Sequence, residues 1–395
     1  MRKNSAWPHE ELYIRNRRAE MVRSGPEYFR RLSSIIKNTE KVLHLQVYIL
    51  EDDDTGLSII NDLKEAVKRG VEVNVVVDAF GSNTLSDRTI RDIRDSGITF
   101  REFSPFYTSK GLSIGRRMHQ KIVVSDSILT LIGGINISDQ YHGTAKEKAW
   151  IDYAVLIEGP VAREGEAICL DILRKKSFFQ KSSKVILPRF EKQEGNTIPA
   201  RLLLNDWLRR KRQISGDYKH AFRQADKSIL LLAAYFLPGR QLTNLIMNAA
   251  KRGVEVKIIL SGISDVPLVK RATSYLYSRL LKSGVQIYEC SNAVVHGKVA
   301  VVDNIWSTVG SYNMNHLSDY GSIELNADIL DRKFAATLTE ELQRVIEKSC
   351  VQITMEEYDR KSTFVSHAMD WSAHKLMRAS MQLFFFLVRK SFRRQ

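Results

Sequence analysis

Two similar α/β domains are the architecture this chain predicts. Three observations carry that prediction: an internal repeat, strands alternating with helix-length segments inside each copy, and apolar residues enough for more than one core. The first copy opens with KVLHLQVYIL at Lys41 to Leu50, an apolar β-rich run, continues with a helical pattern over Leu57 to Arg69, and reaches KRGVEVNVVV at Lys68 to Val77. The second runs in parallel, with KSILLLAAYFL at Lys227 to Leu237, a helical pattern over Gln241 to Arg252, and KRGVEVKIIL at Lys251 to Leu260. In both, the stretch KRGVEV reads as helix end, glycine cap and strand start. A further helical segment follows in each, Asp87 to Asp95 and Tyr275 to Lys282, ending at Ser-Gly before another strand. Alternation of this kind builds mixed sheets covered by helices.

The 395 residues are 44% hydrophobic, enough for two or three domains at roughly 150 residues each. The expected boundaries are an N-terminal extension over 1–24, a first domain over 25–187, an irregular linker over 188–215, a second domain over 216–355 and a C-terminal tail over 356–395. The linker's cluster Arg209 to Arg212 reads as a solvated face. A formal charge of +15 draws in phosphate-bearing partners such as nucleic acid or anionic lipid. Cys169, Cys290 and Cys350 are far apart and lack the paired spacing of a zinc site or disulfide framework, which favours a reducing compartment. Met1 to Arg23 has no secretory signal pattern, and no run is long and apolar enough to span a bilayer. Any membrane contact is expected to be peripheral, from the cytoplasmic side.

The chemistry lies in a constellation repeated after each copy's strands. The first is MHQKIVVSDSILTLIGGIN, with His119, Lys121, Asp126, Gly133, Gly134 and Asn136; the second is VHGKVAVVDNIWSTVGSYN, with His296, Lys298, Asp303, Gly310, Ser311 and Asn313. Every spacing matches. Residues two apart on a strand share a face, so each His points where its Lys points. Asp126-Ser127 and Asp303-Asn304 are turn pairs that return the chain and bring Asn136 and Asn313 back beside the His and Lys. An imidazole, a cation and an amide donor together suit phosphate. One His-x-Lys-x4-Asp pattern arises by chance on the order of once per ten thousand positions, and here two occur with their trailing residues in register. A metal site is disfavoured because each His shares its face with an ammonium.

These paired motifs resemble the phospholipase D superfamily over about Gly25 to Cys350. RRMHQKIVVSD, IGGINISDQY and WIDYAVLIEGP resemble in particular the bacterial cardiolipin synthases that lack N-terminal membrane spans. The resemblance implies two phospholipase D-like α/β/α domains related by a pseudo-two-fold axis, with one active site at their interface. It implies a phosphohistidine mechanism in which His119 attacks and His296 is acid and base, with no metal or cofactor. Lys121, Lys298, Asn136 and Asn313 would hold the phosphate oxygens, and Asp152 and Glu324 would orient the imidazoles unless they are plain strand-edge carboxylates. Asp126 and Asp303 complete the motif and are expected to brace its loops. Arg116 and Arg117 either steer an anionic headgroup or form a solvated turn.

The resemblance further implies a phosphatidyltransferase acting on anionic phospholipids, with phosphatidylglycerol the first candidate and phosphatidylethanolamine the second. A phospholipase D hydrolase or a nucleic-acid phosphodiesterase of the same superfamily is the alternative; against nucleic acid, no basic stripe is interleaved with aromatic residues. The segment His374 to Gln395 places Leu383 to Val388 beside Arg389, Lys390, Arg393 and Arg394. It reads either as an amphipathic helix in an anionic membrane interface or as a terminal helix packed on the second domain.

Overall fold

The computed structural model describes residues 10–105, 107–108, 111–112, 116–174, 197–206, 209 and 211–392, with backbone only for 107, 108, 111, 112, 361 and 382–392. In chain order the first half comprises β1 (Ile14–Asn16), β2 (Arg18–Arg23), α1 (Pro26–Asn38), β3 (Val42–Val47), α2 (Asp54–Lys68), β4 (Glu72–Asp78), α3 (Asp87–Asp95) and β5 (Thr99–Phe103). The small pair β6 (Tyr107–Thr108) and β7 (Gly111–Leu112) precedes β8 (Arg117–Met118), β9 (Ile122–Ser125), β10 (Leu129–Gly133), α4 (Asp139–His142), β11 (Tyr153–Glu158) and α5 (Val161–Leu173). The second half comprises β12 (Ile198–Asp206), β13 (Lys211–Arg212), α6 (Gln213–Gln224), β14 (Ser228–Ala233), α7 (Arg240–Lys251), β15 (Glu255–Ser261), α8 (Pro267–Ser274), α9 (Tyr277–Lys282) and β16 (Gln286–Cys290). It closes with β17 (Lys298–Val302), β18 (Trp306–Gly310), α10 (His316–Tyr320), β19 (Ser322–Leu330), α11 (Arg332–Ser349), β20 (Cys350–Ile353), α12 (Met355–Lys361) and α13 (Phe364–Phe392).

The repeat is visible in the sheets. The first runs β2-β11-β10-β9-β3-β4-β5, and the second contains β19-β18-β17-β14-β15-β16 in the matching order. Within each, the β3-β4-β5 and β14-β15-β16 pairs are parallel and the others antiparallel. The identical KRGVEV stretches do the same work twice. Gly70 and Gly253 take φ near 90°, and the Val71 and Val254 N–H groups reach back to the Ala66 and Ala249 carbonyls, closing each helix with a glycine cap that an L side chain disfavours. One apolar cluster lies outside the first sheet under α1 and α2, and another lies outside the second under α6 and α7. A third is shared: Val124, Ile132 and Tyr153 of the first sheet meet Leu202, Val299 and Leu325 of the second, with α5 and α11. This shared core presses the domains together.

Two of the expected segments hold strands of the sheets. Part of the presumed N-terminal extension is strand: β1 pairs with β12 of the second sheet, and β2 with β11 of the first, so one short stretch ties both sheets. The presumed linker contains β12, which lies beside β19 through six register pairs; a buried strand at this position reads as irregular in sequence because charged and polar residues flank it. Residues 188–196 and Arg210 lie outside the described residues. Cys290 and Cys350 are also not isolated. They face each other in register on β16 and β20 and are joined as a disulfide, leaving Cys169 buried and free.

The motif turns show why each copy needs its Asp. Asp126 and Ser127 both have positive φ, as do Asp303 and Asn304, the backbone of a tight hairpin turn that short polar side chains tolerate. The Asp126 carboxylate accepts the N–H groups of Glu40, Lys41 and Val42 at 2.8 to 2.9 Å. Asp303 does the same for Asp226, Lys227 and Ser228 at 2.7 to 2.9 Å. Each Asp thus fastens its hairpin to the start of β3 or β14. Asp126 lies seven residues beyond His119 and Asp303 seven beyond His296, about 23 Å of extended chain at roughly 3.3 Å per residue, so both carboxylates, which complete the motifs that hold the catalytic histidines, act as braces at the hairpin turns. Asp126→Ala should lower stability by about 1 to 3 kcal/mol, the cost of orphaning backbone donors, while the folded protein keeps its turnover within a few-fold. Thermal melts with rates normalised to folded protein check this; loss of turnover without loss of stability would contradict it.

Candidate active site

Two short crossings of backbone between the domains bring the half-sites together. β8, just before His119, pairs in parallel with the start of β19, and the His119 N–H donates to the Ile323 carbonyl at 3.0 Å. Reciprocally, the His296 N–H donates to the Ile151 carbonyl at 2.9 Å, and Ile151 bridges to Val295. Ile323 precedes Glu324 and Ile151 precedes Asp152, so each histidine lands beside the carboxylate of the opposite domain.

His119 Nδ1 lies 2.9 Å from Glu324 Oε2, and His296 Nδ1 lies 2.7 Å from Asp152 Oδ2. Because each carboxylate accepts, Nδ1 carries the proton and Nε2 is left with its lone pair. Both acids are buried. Burial opposes the Glu324 charge, but His119, Ser311 and Lys121 outweigh it and hold the carboxyl below its ordinary value. Asp152 is likewise held down, burial being overcome by Lys298 and His296. The hydroxyls of Ser311, Ser318 and Ser322 donate to Glu324 at 2.6, 2.8 and 2.7 Å. Where the second half-site has Ser311 the first has Gly134, at which a Cβ would stand 2.4 Å from Asp152 Oδ1; the glycine is required by close approach.

Lys121 and Lys298 are buried beside the histidines. Lys121 donates to the His119 carbonyl at 2.6 Å and lies 5.2 Å from the centre of the Tyr48 ring. The Lys298 ammonium stands 2.8 Å from His296 Nδ1 and 3.1 Å from Nε2. Burial and the neighbouring Lys298 bring Lys121 down to about 7, and burial brings Lys298 down to about 8. Burial and Lys298 push His296 down to about 3, and burial lowers His119. Each lysine acts on the other half-site's histidine, so both half-sites share one electrostatic environment. Two ammonium groups, offset by the two buried carboxylates, stand beside neutral imidazoles in one site, a set of donors that suits the oxygens of a phosphodiester.

Two expectations change. Asn136 is committed internally: its Oδ1 accepts the Ile49 N–H at 3.1 Å and its Nδ2 donates to the Tyr141 hydroxyl at 2.8 Å. It is therefore not available to a phosphate. The Oδ1 of the buried Asn313, an acceptor, has no hydrogen-bond partner among the described residues; any contact of Asn313 with a phosphate oxygen has to come from its Nδ2. Arg116 and Arg117 are ion-paired and largely buried, to Asp206 and Asp78 respectively, with Arg117 also donating to Ser104 at 2.8 Å. They lock the approach to His119 into both domains and do not steer a headgroup.

The family model described as "Cardiolipin synthase, PLD-like domain" matches the chain twice, over residues 32–164 and 218–346. The chain belongs to this family. Cardiolipin synthase B of Salmonella typhimurium is 34% identical over 85% of this chain and 81% of its own length. Cardiolipin synthase 1 of Staphylococcus aureus strain COL is 31% identical over 87% of this chain and 70% of its own. Phosphatidylserine synthase from Haemophilus influenzae Rd KW20 shares the fold, with a TM-score of 0.72 at 15% identity, covering 95% of this chain and 97% of that one. The resemblance drawn from the motifs is thereby shown, as is the enzyme class, a phosphatidyltransferase of the phospholipase D superfamily.

Motif reading missed the aromatic wall around this cardiolipin synthase-family site. Tyr141, Trp150 and Tyr235 surround His296 with ring centres 5.2, 5.6 and 5.8 Å away, and Tyr48 lies 4.9 Å from His119. Tyr141 and Ser318 sit five residues after Asn136 and Asn313, an offset that marks them as repeat counterparts. Tyr48 directly follows β3, and Tyr235 lies two residues past β14.

The lysine charges set a pH dependence. A lysine whose value falls from its ordinary 10.5 to about 7 or 8 is charged below that pH and neutral above it. Affinity for a soluble phosphodiester, singly charged throughout, should therefore weaken as pH rises from 6 to 9. Calorimetric titration at several pH values measures it; pH-independent affinity would remove the lysines from phosphate binding.

Proposed function

We propose that the chain transfers a phosphatidyl group between anionic phospholipids through a phosphohistidine on His119. The observation that carries this reading is the crossed arrangement, with each histidine held by the opposite domain's carboxylate and both lysines in the same buried site. His119 Nε2 attacks phosphorus while Glu324 holds Nδ1–H, and the P–O bond to the leaving glycerol breaks as His296 gives that oxygen a proton. The incoming phosphodiester anion offsets the two lysines and raises His296 from its depressed value, so that it can hold the proton it must donate. Then the hydroxyl of a second lipid attacks phosphorus, its proton passes to His296 Nε2, and the P–N bond to His119 breaks. Splitting one displacement into two lets the same pair of groups serve both. Lys121, Lys298 and Asn313 hold the non-bridging oxygens and stabilise the charge of the pentacoordinate transition state. The cardiolipin synthases named above support cardiolipin as the product, and the motif resemblance points to phosphatidylglycerol as donor and acceptor.

Lipid substrates imply work at a bilayer surface. Among the described residues no helix is long and apolar enough to cross a membrane. α13 combines both readings of the tail: Ala373, Met377 and Met381 pack with Leu237, Val269 and Ala272, and His374 Nδ1–H donates to the Ala272 carbonyl at 3.1 Å. Its other side exposes Phe364, Val365, Met369, Trp371 and Leu376, near Lys375 and Arg378, a mixture of apolar area and positive charge that suits an anionic interface. The side chains of Leu383 to Val388 lie outside the described residues.

His119→Asn and His296→Asn should each reduce turnover at least about 100-fold, and with phosphatidylglycerol vesicles the wild type should release glycerol and cardiolipin, with phosphatidic acid minor. Mass spectrometry of the products decides: dominant phosphatidic acid would make the protein a hydrolase, and an active His296→Asn variant would end the two-histidine scheme. Replacing Phe364, Val365 and Trp371 together by serine should weaken sedimentation with anionic vesicles while sparing cleavage of a soluble phosphodiester. Unchanged sedimentation would move the contact elsewhere.

A further inference from the structure

The two half-sites are not mirror copies, and the difference is concentrated at one repeat position. Five residues after Asn313, Ser318 donates its hydroxyl to Glu324, the acid that holds His119. Five residues after Asn136 stands Tyr141, whose hydroxyl instead reaches the histidine, 3.3 Å from His296 Nδ1 and 3.4 Å from Nε2. Tyr141 is fully buried.

The direction of its hydrogen bonds follows from a fixed donor. The Ile49 backbone N–H can only donate, so the Asn136 atom facing it at 3.1 Å is the carbonyl oxygen. The other end of that amide is therefore the NH2, which donates to the Tyr141 oxygen at 2.8 Å. With its oxygen engaged, Tyr141 has its own proton left to give. His296 Nδ1 already donates to Asp152, so the nitrogen with a free lone pair is Nε2, the atom that exchanges protons with substrate.

We propose that Tyr141 is a positioning residue for His296, donating to Nε2 and holding the imidazole in the tautomer that accepts the proton of the incoming alcohol. The proposal rests on the two-histidine reading above. Lys298 also approaches the ring in the empty site, but its role there is to follow the phosphate oxygens, whereas Asn136 keeps Tyr141 where it is. In the second half-reaction the alcohol's oxygen bonds to phosphorus, the P–N bond to His119 breaks and the alcohol's proton moves to Nε2. As the alcohol takes the single Nε2 lone pair the Tyr141 O–H turns away from it, and the Tyr141 oxygen accepts from the new Nε2–H beside the bond it already accepts from Asn136; Tyr141 keeps its own proton throughout.

The groups that face His296 are Asp152, Lys298, Lys121, Tyr141 and Tyr235, the last donating to Asp265, with the Trp150 ring beside them. Of these, a Tyr141 donor favours the neutral ring, so removing it should make His296 easier to protonate. Tyr141→Phe keeps the ring and removes the hydroxyl. In imidazole-nitrogen-labelled full-length protein, NMR should show the His296 titration moved up by about half a unit to one unit. Turnover per folded protein in lipid transfer should fall about tenfold with little change in KM, while the melting temperature falls as well because Asn136 Nδ2 loses its acceptor. A His296 titration and kcat equal to wild type would overturn the proposal, as would a loss of rate that only tracks a lowered melting temperature. His296→Asn in the same assay separates the two levels: if it is inactive the two-histidine reading stands whatever Tyr141→Phe does, and if it is active that reading itself fails.

Discussion

The backbone crossings at His119–Ile323 and Ile151–His296 are the contacts on which this site depends. Each fastens a histidine-bearing segment of one domain to the strand start that bears a carboxylate in the other. A hydrogen bond of this kind contributes only about 1 kcal/mol net, yet the register it sets fixes which acid meets which imidazole. The arrangement holds because the two sheets share a core, with Val124, Ile132 and Tyr153 packed against Leu202, Val299 and Leu325. The ion pairs of Arg116 with Asp206 and Arg117 with Asp78 pin the segment that leads into His119.

Burying two lysines, two histidines and two carboxylates in one place is costly unless the charges answer one another. Here Glu324 and Asp152 balance the lysines and remain anionic, while the histidines are kept neutral. The empty site is therefore close to neutral overall, and a phosphodiester meets its ammonium groups as donors. The imbalance between the half-sites is also chemical: Glu324 is surrounded by three serine hydroxyls, whereas Asp152 has a glycine opposite it and a tyrosine directed to its histidine. Duplicated elements have thus acquired different surroundings, which suits a reaction whose two histidines have different tasks.

Much of this was open to reading in one dimension. The KRGVEV pair located helix ends, glycine caps and strands in both copies, because a cap needs only a local backbone conformation. The spaced His, Lys, Asp and Asn residues located the site, because strand geometry puts residues two apart on one face. Local rules failed where distant chain was involved. β12 was hidden in a stretch flanked by basic residues, and β1 and β2 looked like an extension, since strands are stabilised by partners whose position no local pattern reveals. Cys290 and Cys350 are 60 residues apart and meet only because β20 pairs with β16.

By itself, then, the amino-acid order determined the repeat, the α/β class, the two catalytic-type motifs and the family they belong to, all of which depend on periodicity and local spacing. Tertiary structure decided that Glu324 serves His119 and Asp152 serves His296, that Asn136 is engaged by Ile49 and Tyr141, and that Arg116 and Arg117 face carboxylates. Those outcomes depend on which surfaces approach across the domain boundary. A side chain's partner there is set by the packing of two whole sheets, and no spacing along the chain encodes that distance.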